Sequence, residues 1–124
     1  HTSLHGTNTQ IITGQRNNHA GFAVVAVIAA VGAPFFEELF FRGLLRTALA
    51  ARLGAVGAVF AQAALFGLSH YQPTNGLGNV QVVVAIAAVG LVLGFTAHIT
   101  RRLGAGMIGH CLFNLVAVIA ILTT

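Results

Sequence analysis

Apolar residues run almost unbroken from Gly21 to the end of the chain, and short polar turns cut the run into four lengths. These are residues 21–50, 55–70, 80–99 and 105–122, and each reads as a helix able to sit in a bilayer. The first is too long for a single simple span. Wholly helical it would be ~45 Å, against a hydrocarbon core of ~30 Å. Pro34 falls inside it and is expected to kink or break it. A new helix N-terminus there would set positive dipole beside the residues that follow. Leu53-Gly54 marks the first turn, residues 71–76 (Tyr-Gln-Pro-Thr-Asn-Gly) the second and residues 100–104 (Thr-Arg-Arg-Leu-Gly) the third. Gly90 and Gly94 have the small-xxx-small spacing that lets helices approach closely, though a glycine-rich membrane chain produces it often by chance.

Composition turns that pattern into a fold class. Apolar residues are 56% of the 124, charged residues only 6%, and mean hydropathy is +0.87. Soluble domains carry about 25% charged residues, so this surface faces lipid. The expectation is an all-α, polytopic transmembrane helix bundle with about four spanning helices, formed by residues 20–124. Residues 1–19, rich in Thr, Asn, Gln and His, are expected to be a solvated polar leader. They hold no apolar run, so they are neither a signal peptide nor a span. The chain opens on His1 rather than Met, which suggests a piece of a longer protein with further spans upstream.

All the positive charge is arginine: Arg16, Arg42, Arg46, Arg52, Arg101 and Arg102. So dispersed a set makes no basic patch, which argues against nucleic acid as a partner. The turns near residues 51–54 and 100–104 hold or adjoin four of the six. The positive-inside rule places both in the cytoplasm, with Arg16 counting against. The single Cys111 excludes an internal disulfide. His1, His5 and His19 share no helical or metal-finger spacing.

The two acidic residues of the chain, Glu37 and Glu38, stand together inside the first apolar length. A charge at the centre of a span costs roughly 2.5–3.5 kcal/mol on insertion scales, so intramembrane ionisable residues are functional by default. The structural alternative is a Glu–Arg pair that only ties two helices together. Glu38 and Arg42 are i,i+4 with the acid first, the favourable order for an ion pair. Glu37 points about 100° away from Glu38, so the two carboxylates need not share a role. Phe66 and His70 are i,i+4 in the second length, His110 and Asn114 in the fourth. Each pair alone is weak. Together they place one unpaired carboxylate, two imidazoles and a carboxamide in a bundle with few other polar side chains.

That set suits hydrolysis by water. A carboxylate in an apolar pocket can act as general base, a histidine can orient the water, and a second histidine with an asparagine can donate to an oxyanion. No activated nucleophile is evident. Ser69 and Cys111 each adjoin a histidine in sequence, but neighbours on a helix face about 100° apart.

The run Glu37-Glu38-x-x-x-Arg42-Gly43, then Phe66-x-x-x-His70, then His110-x-x-x-Asn114 resembles the three-motif signature of the CPBP (CAAX protease and bacteriocin-processing) family. Ala33-Pro34 before the glutamates and Phe66-Gly67-Leu68-Ser69-His70 agree with it. The resemblance covers roughly residues 30–120, and three motifs in order, each in its own span, are specific. It implies an intramembrane endopeptidase related to the type II CAAX prenyl endopeptidases. Glu37 would activate the catalytic water with help from His70. His110 and Asn114 would form the oxyanion site, and Glu38 and Arg42 would position the first pair. The lipid bilayer and a peptide or lipidated protein substrate are the implied partners, in a multi-pass protein of a prokaryotic cell membrane.

The family was named as metalloproteases, and Glu37, His70 and His110 could ligate Zn²⁺ as a His₂Glu site. The glutamate-and-water mechanism needs no bound metal, and no HExxH motif is present to favour one. A non-cleaving relative that keeps the motif as a binding, immunity or chaperone-like protein is the competing reading. Haem ligation by His70 and His110 explains neither the glutamates nor Asn114, and a proton-coupled transporter has too few spans here.

Depth along the helices poses a difficulty. Glu37 lies ~22 Å of helical rise from Arg52 and His70 ~24 Å from Gly54, but His110 lies only about 9 Å past Gly104. Straight upright helices would leave His110 too shallow to meet the others.

Overall fold

The computed structural model describes residues 7–15 and 17–124; they form helices and turns, with no strand among them. His1, His5 and Arg16 lie outside the described residues. A short helix, α1 (Thr7–Gly14), precedes α2 (His19–Val27), whose first turn is capped by the Asn18 side chain accepting from the Gly21 N–H at 3.1 Å. Helix then continues through a π-helical turn at Ile28–Gly32, α3 (Ala33–Glu37), a longer π-helical stretch at Glu38–Leu45 and α4 (Arg46–Leu68). A 3₁₀ turn at Pro73–Asn75 leads to α5 (Gly78–Thr100), and α6 (Gly104–Thr123) ends the chain.

Pro34 neither breaks this helix nor starts a new one, which corrects the sequence expectation. Gly32, just before α3, is itself helical (φ −64°, ψ −53°), so no helix terminus or dipole end faces the glutamates. The proline is absorbed by the π turn ahead of it. There the Ala33 N–H bonds the carbonyl of Ile28, one residue further back than in an α-helix. A π turn adds a residue to the ring, the usual way a helix accommodates a local insertion near a functional site.

Gly54 makes the chain reverse. Its φ of 74° and ψ of 171° lie outside the range of ordinary side-chain-bearing residues, and α4 folds back on itself there. Arg42 and Phe66, equally far from Gly54 in sequence, touch, with the guanidinium carbon 4.2 Å from the ring centroid. Three helices are long and apolar enough to cross a membrane: His19–Leu68, Gly78–Thr100 and Gly104–Thr123. The 50-residue first one is doubled at Gly54, so the bundle has the four limbs expected.

The burial pattern is that of a membrane protein. Leu77, Ile99, Phe36, Ile108 and Val116 face outward, while Glu38, Arg42, Gln62, Asn79 and His110 are buried. Apolar outside and polar inside is the arrangement that lipid favours, and the chain is an integral membrane protein.

Two buried amides hold the scaffold. The Gln62 Nε2 donates to the carbonyls of Val59 and of Gly90, each at 2.9 Å, pinning α4 to α5. Gly90 and Gly94 are the close-approach positions that their spacing suggested. A Cβ on Gly90 would lie 3.1 Å from the Cα of Ala63, and one on Gly94 would meet Gln62 and stand 3.0 Å from Val59. Asn79 closes the loop after His70: its Oδ1 accepts from the Gln72 N–H at 2.8 Å, and its Nδ2 donates to the Gln72 carbonyl at 2.7 Å. The turn before α6 is formed by Arg101 in the left-handed region (φ 54°).

Within the polar lead-in, one isoleucine among the described residues is withdrawn from the surface. Ile11 and most of its neighbours are exposed, but Ile12 of α1 is buried at 2% exposure against the bundle.

Gly94→Leu should destabilise the protein by about 1–3 kcal/mol, the usual range for overpacking. Gly109→Leu, on an open face of α6 where an added Cβ meets nothing within 4 Å, should leave stability within about 0.5 kcal/mol. Unfolding in mixed detergent micelles distinguishes the two.

Candidate active site

The π-helical stretch Glu38–Leu45 carries Glu38 and Arg42 on one inward face, both at 0% exposure. The Arg42 Nη1 lies 3.1 Å from the Glu38 Oε1. This is the ion pair expected from the spacing. It is close but poorly directed: no guanidinium nitrogen makes a well-angled hydrogen bond among the described residues, and the plane packs instead over the Phe66 ring. Cation–π attraction of this kind strengthens when water is excluded. The other carboxylate oxygen, Oε2, has no hydrogen-bond partner among the described residues.

The same Glu38 Oε1 takes a second partner from α6, the His110 Nδ1, at 2.9 Å. Gly106, one turn before His110, makes room for this approach, since a Cβ there would sit 3.1 Å from the Glu38 Oε2. Leu103 packs beside Gly43. α6 therefore begins alongside the middle of the glutamate-bearing helix, well short of the level of Gly54. That resolves the depth difficulty, because His110 starts from deeper in the bundle than its distance from Gly104 implied.

The other ring nitrogen of His110, Nε2, lies 3.4 Å from the Glu37 Oε2. One imidazole thus stands between two carboxylates that leave their helix in different directions. A neutral imidazole has one N–H, so donating to both carboxylates requires a ring that carries both of its protons. Glu37 is not the unpaired carboxylate that the sequence suggested. It remains partly exposed, with 29% of its side chain accessible, whereas Glu38 is sealed. Water can reach the first carboxylate and not the second.

Phe66 is the platform beneath these groups. It stands edge-on to Phe41 (5.0 Å between centroids), His70 (4.9 Å) and His110 (5.7 Å), besides carrying Arg42. His70 follows the end of α4. Its Nδ1 is 2.9 Å from the Phe66 carbonyl and donates to it, which leaves Nε2 as the ring's acceptor. The Ser69 hydroxyl does reach the His70 ring, at 3.2 Å, because the helix has ended at Leu68. Its proton goes to the Phe66 carbonyl at 2.7 Å, so Ser69 is no nucleophile activated by His70. Cys111 lines an apolar groove with Met107, Ile108 and Leu112, away from these groups.

Asn114 donates from Nδ2 to the Ala29 carbonyl at 2.9 Å. The reason lies in the π turn. In an α-helix the Ala29 carbonyl would take the Ala33 N–H, but that N–H goes to Ile28. The π partner would be residue 34, a proline without an N–H. Asn114 supplies the donor that Pro34 cannot. One of its two amide hydrogens is committed there, and the other has no hydrogen bond to the described residues.

Glu37, His70, His110 and Asn114 line one cavity of about 190 Å³, together with Phe66, Phe113, Ile86, Val89 and Ile12. The polar groups come from three separate limbs of the bundle. Glu38 and Arg42 lie behind them. Of the six residues singled out in the sequence, four face the cavity and two support it. Among the described residues no three His, Cys, Asp or Glu side chains converge closely enough to hold an ion. The roles of Ile12, Gly106 and Gln62 were not seen in the sequence. Only Gln62 carried a signal there, as a lone amide in an apolar helix.

Asn114→Ala should destabilise the protein by about 0.6–1.7 kcal/mol, the measured range for hydrogen bonds between membrane helices. In a Pro34→Ala background, where an N–H at residue 34 can satisfy the Ala29 carbonyl, the same change should have less than half that effect. The comparison is made by detergent unfolding of the four variants.

Residues 19–116 match the family model for type II CAAX prenyl endopeptidase Rce1-like proteins. Searches of curated proteins and of solved structures returned no match. The matched region takes in all six site residues and nearly the whole helical bundle, and the chain belongs to the type II CAAX prenyl endopeptidase Rce1-like family, a family of membrane proteases.

Proposed function

We propose that this protein is an intramembrane endopeptidase that hydrolyses peptide bonds with a water activated by Glu37. The observation that supports this is the convergence of Glu37, His70, His110 and Asn114, from three limbs, on one largely apolar cavity. Family membership supports the hydrolase class.

In this reading the water lies between the Glu37 carboxylate and the His70 Nε2, whose tautomer is set by the Phe66 carbonyl. Glu37 takes a proton as the water oxygen bonds to the carbonyl carbon. The resulting oxyanion receives the second amide hydrogen of Asn114 and the Nε2–H of a doubly protonated His110, whose Nδ1–H stays on Glu38. The Nε2–H faces Glu37 at rest. Once Glu37 is protonated and loses its charge, the N–H is released towards the developing oxyanion, where a preorganised donor is worth most. Collapse breaks the C–N bond, and the proton on Glu37 passes to the leaving nitrogen. Glu38 and Arg42 do not touch substrate; they fix His110 and the helix that carries Glu37.

No step requires a bound metal. The substrate is a hydrophobic or lipidated peptide, with a prenylated C-terminus the first candidate on family grounds.

With full-length protein in liposomes and a panel of prenylated and unprenylated peptides, Glu37→Gln should lower kcat by about 10²–10⁴, the range for loss of a general base. A chelator should leave wild-type cleavage unchanged. Equal activity in wild type and Glu37→Gln sinks the role of Glu37, and loss of activity with chelator sinks the metal-free step. A folded wild type that cleaves nothing favours the non-cleaving binding reading.

A further inference from the structure

Helix α1 is polar except for two adjacent isoleucines, and they have opposite fates. Ile11 is 47% exposed, whereas Ile12 is 2% exposed and lines the cavity with Glu37, His70, His110 and Asn114. An eight-residue helix of this composition has little stability of its own, and Ile12 is its buried apolar contact with the bundle among the described side chains. Its packing is loose. A second apolar cavity, lined by Ile11, Ile12, Val25, Ile28, Ala29 and Ala33, lies on its other flank. Close-packed interiors leave few such voids, and Ile12 borders both of them.

We propose that Ile12 is a specificity-determining residue: α1 lies over the candidate active site, and the size of the Ile12 side chain sets which substrate side chains fit beside the scissile bond. This rests on the reading of the cavity as a peptide site. Ala29 and Ala33, which border both voids, are small and leave the space for Ile12 to fill. A shorter side chain at residue 12 therefore enlarges the cavity directly, without requiring another element to move. The side chains accepted are apolar, since Ile86, Val89, Phe113, Val118 and Ile121 form the remaining wall.

The test compares wild type, Ile12→Ala, Ile12→Phe and the exposed-face control Ile11→Ala in the full-length protein. Two readouts are taken. One is kcat/KM for peptides with alanine, leucine or tryptophan next to the scissile bond. The other is Kd for uncleavable hydroxyethylene analogues of the same peptides. Ile12→Ala should raise the tryptophan-to-alanine preference by at least about tenfold, and Ile12→Phe should lower it by a similar factor, the scale on which pockets discriminate by a methylene or two. Ile11→Ala should leave it unchanged. If Ile12→Ala and Ile12→Phe keep the wild-type preference in both readouts, the inference is overturned. The binding readout separates this from the hydrolytic mechanism: preferences in Kd that follow residue 12 without any cleavage support Ile12 while removing the Glu37 step. If wild type binds none of the analogues, both fall.

Discussion

The structure depends on a carboxylate that lipid and protein alike would exclude unless it were partnered. Glu38 is wholly buried, and its Oε1 gathers a cation from its own helix, Arg42, and an imidazole from α6, His110. Each is itself polar and buried. Removing any one would strand the others, because an uncompensated buried charge is far more costly than a missing contact. The tie therefore fixes the register of α6 against the glutamate-bearing helix, and with it the place of His110 beside Glu37. Gly106 is what allows the approach.

A second constraint runs parallel to it. Pro34 removes a backbone donor and the π turn diverts another, leaving the Ala29 carbonyl to be met by Asn114 from α6. The same pair of helices is thus joined at two levels, by a charged tie at His110 and a neutral one at Asn114, one turn apart. Both residues face the cavity between those ties. Helix deformation at functional sites usually re-aims a side chain. Here it also exposes a carbonyl that orients one.

Much of this was legible in the sequence. The apolar lengths and their turns gave the helical bundle, the lone acids pointed to the buried polar cluster, and i,i+4 spacing paired Glu38 with Arg42. What spacing cannot convey is how helices lie relative to one another. It treated Glu37 and Glu38 as separate because they diverge by about 100° on one helix. It could not show that an imidazole from elsewhere fits between them. Pro34 was read as a kink or break because local rules know only its missing N–H; the compensating π turn and Asn114 were not visible to them. Ile12 was read as part of a solvated leader because its neighbours in sequence are polar, and a single buried isoleucine among them leaves no periodic trace. The depth of His110 was misjudged because helical rise measures distance along a helix and says nothing of where that helix begins.

The central claim is that Glu38 and His110 act as one tie. It is tested most directly by a double-mutant cycle on unfolding free energy in detergent, using Glu38→Gln, His110→Gln and the double variant. The account predicts that the two changes are strongly non-additive, with a coupling of about 1–3 kcal/mol, as for residues sharing one buried network. Effects that add to within about 0.5 kcal/mol would show that the two side chains are held independently and would contradict it.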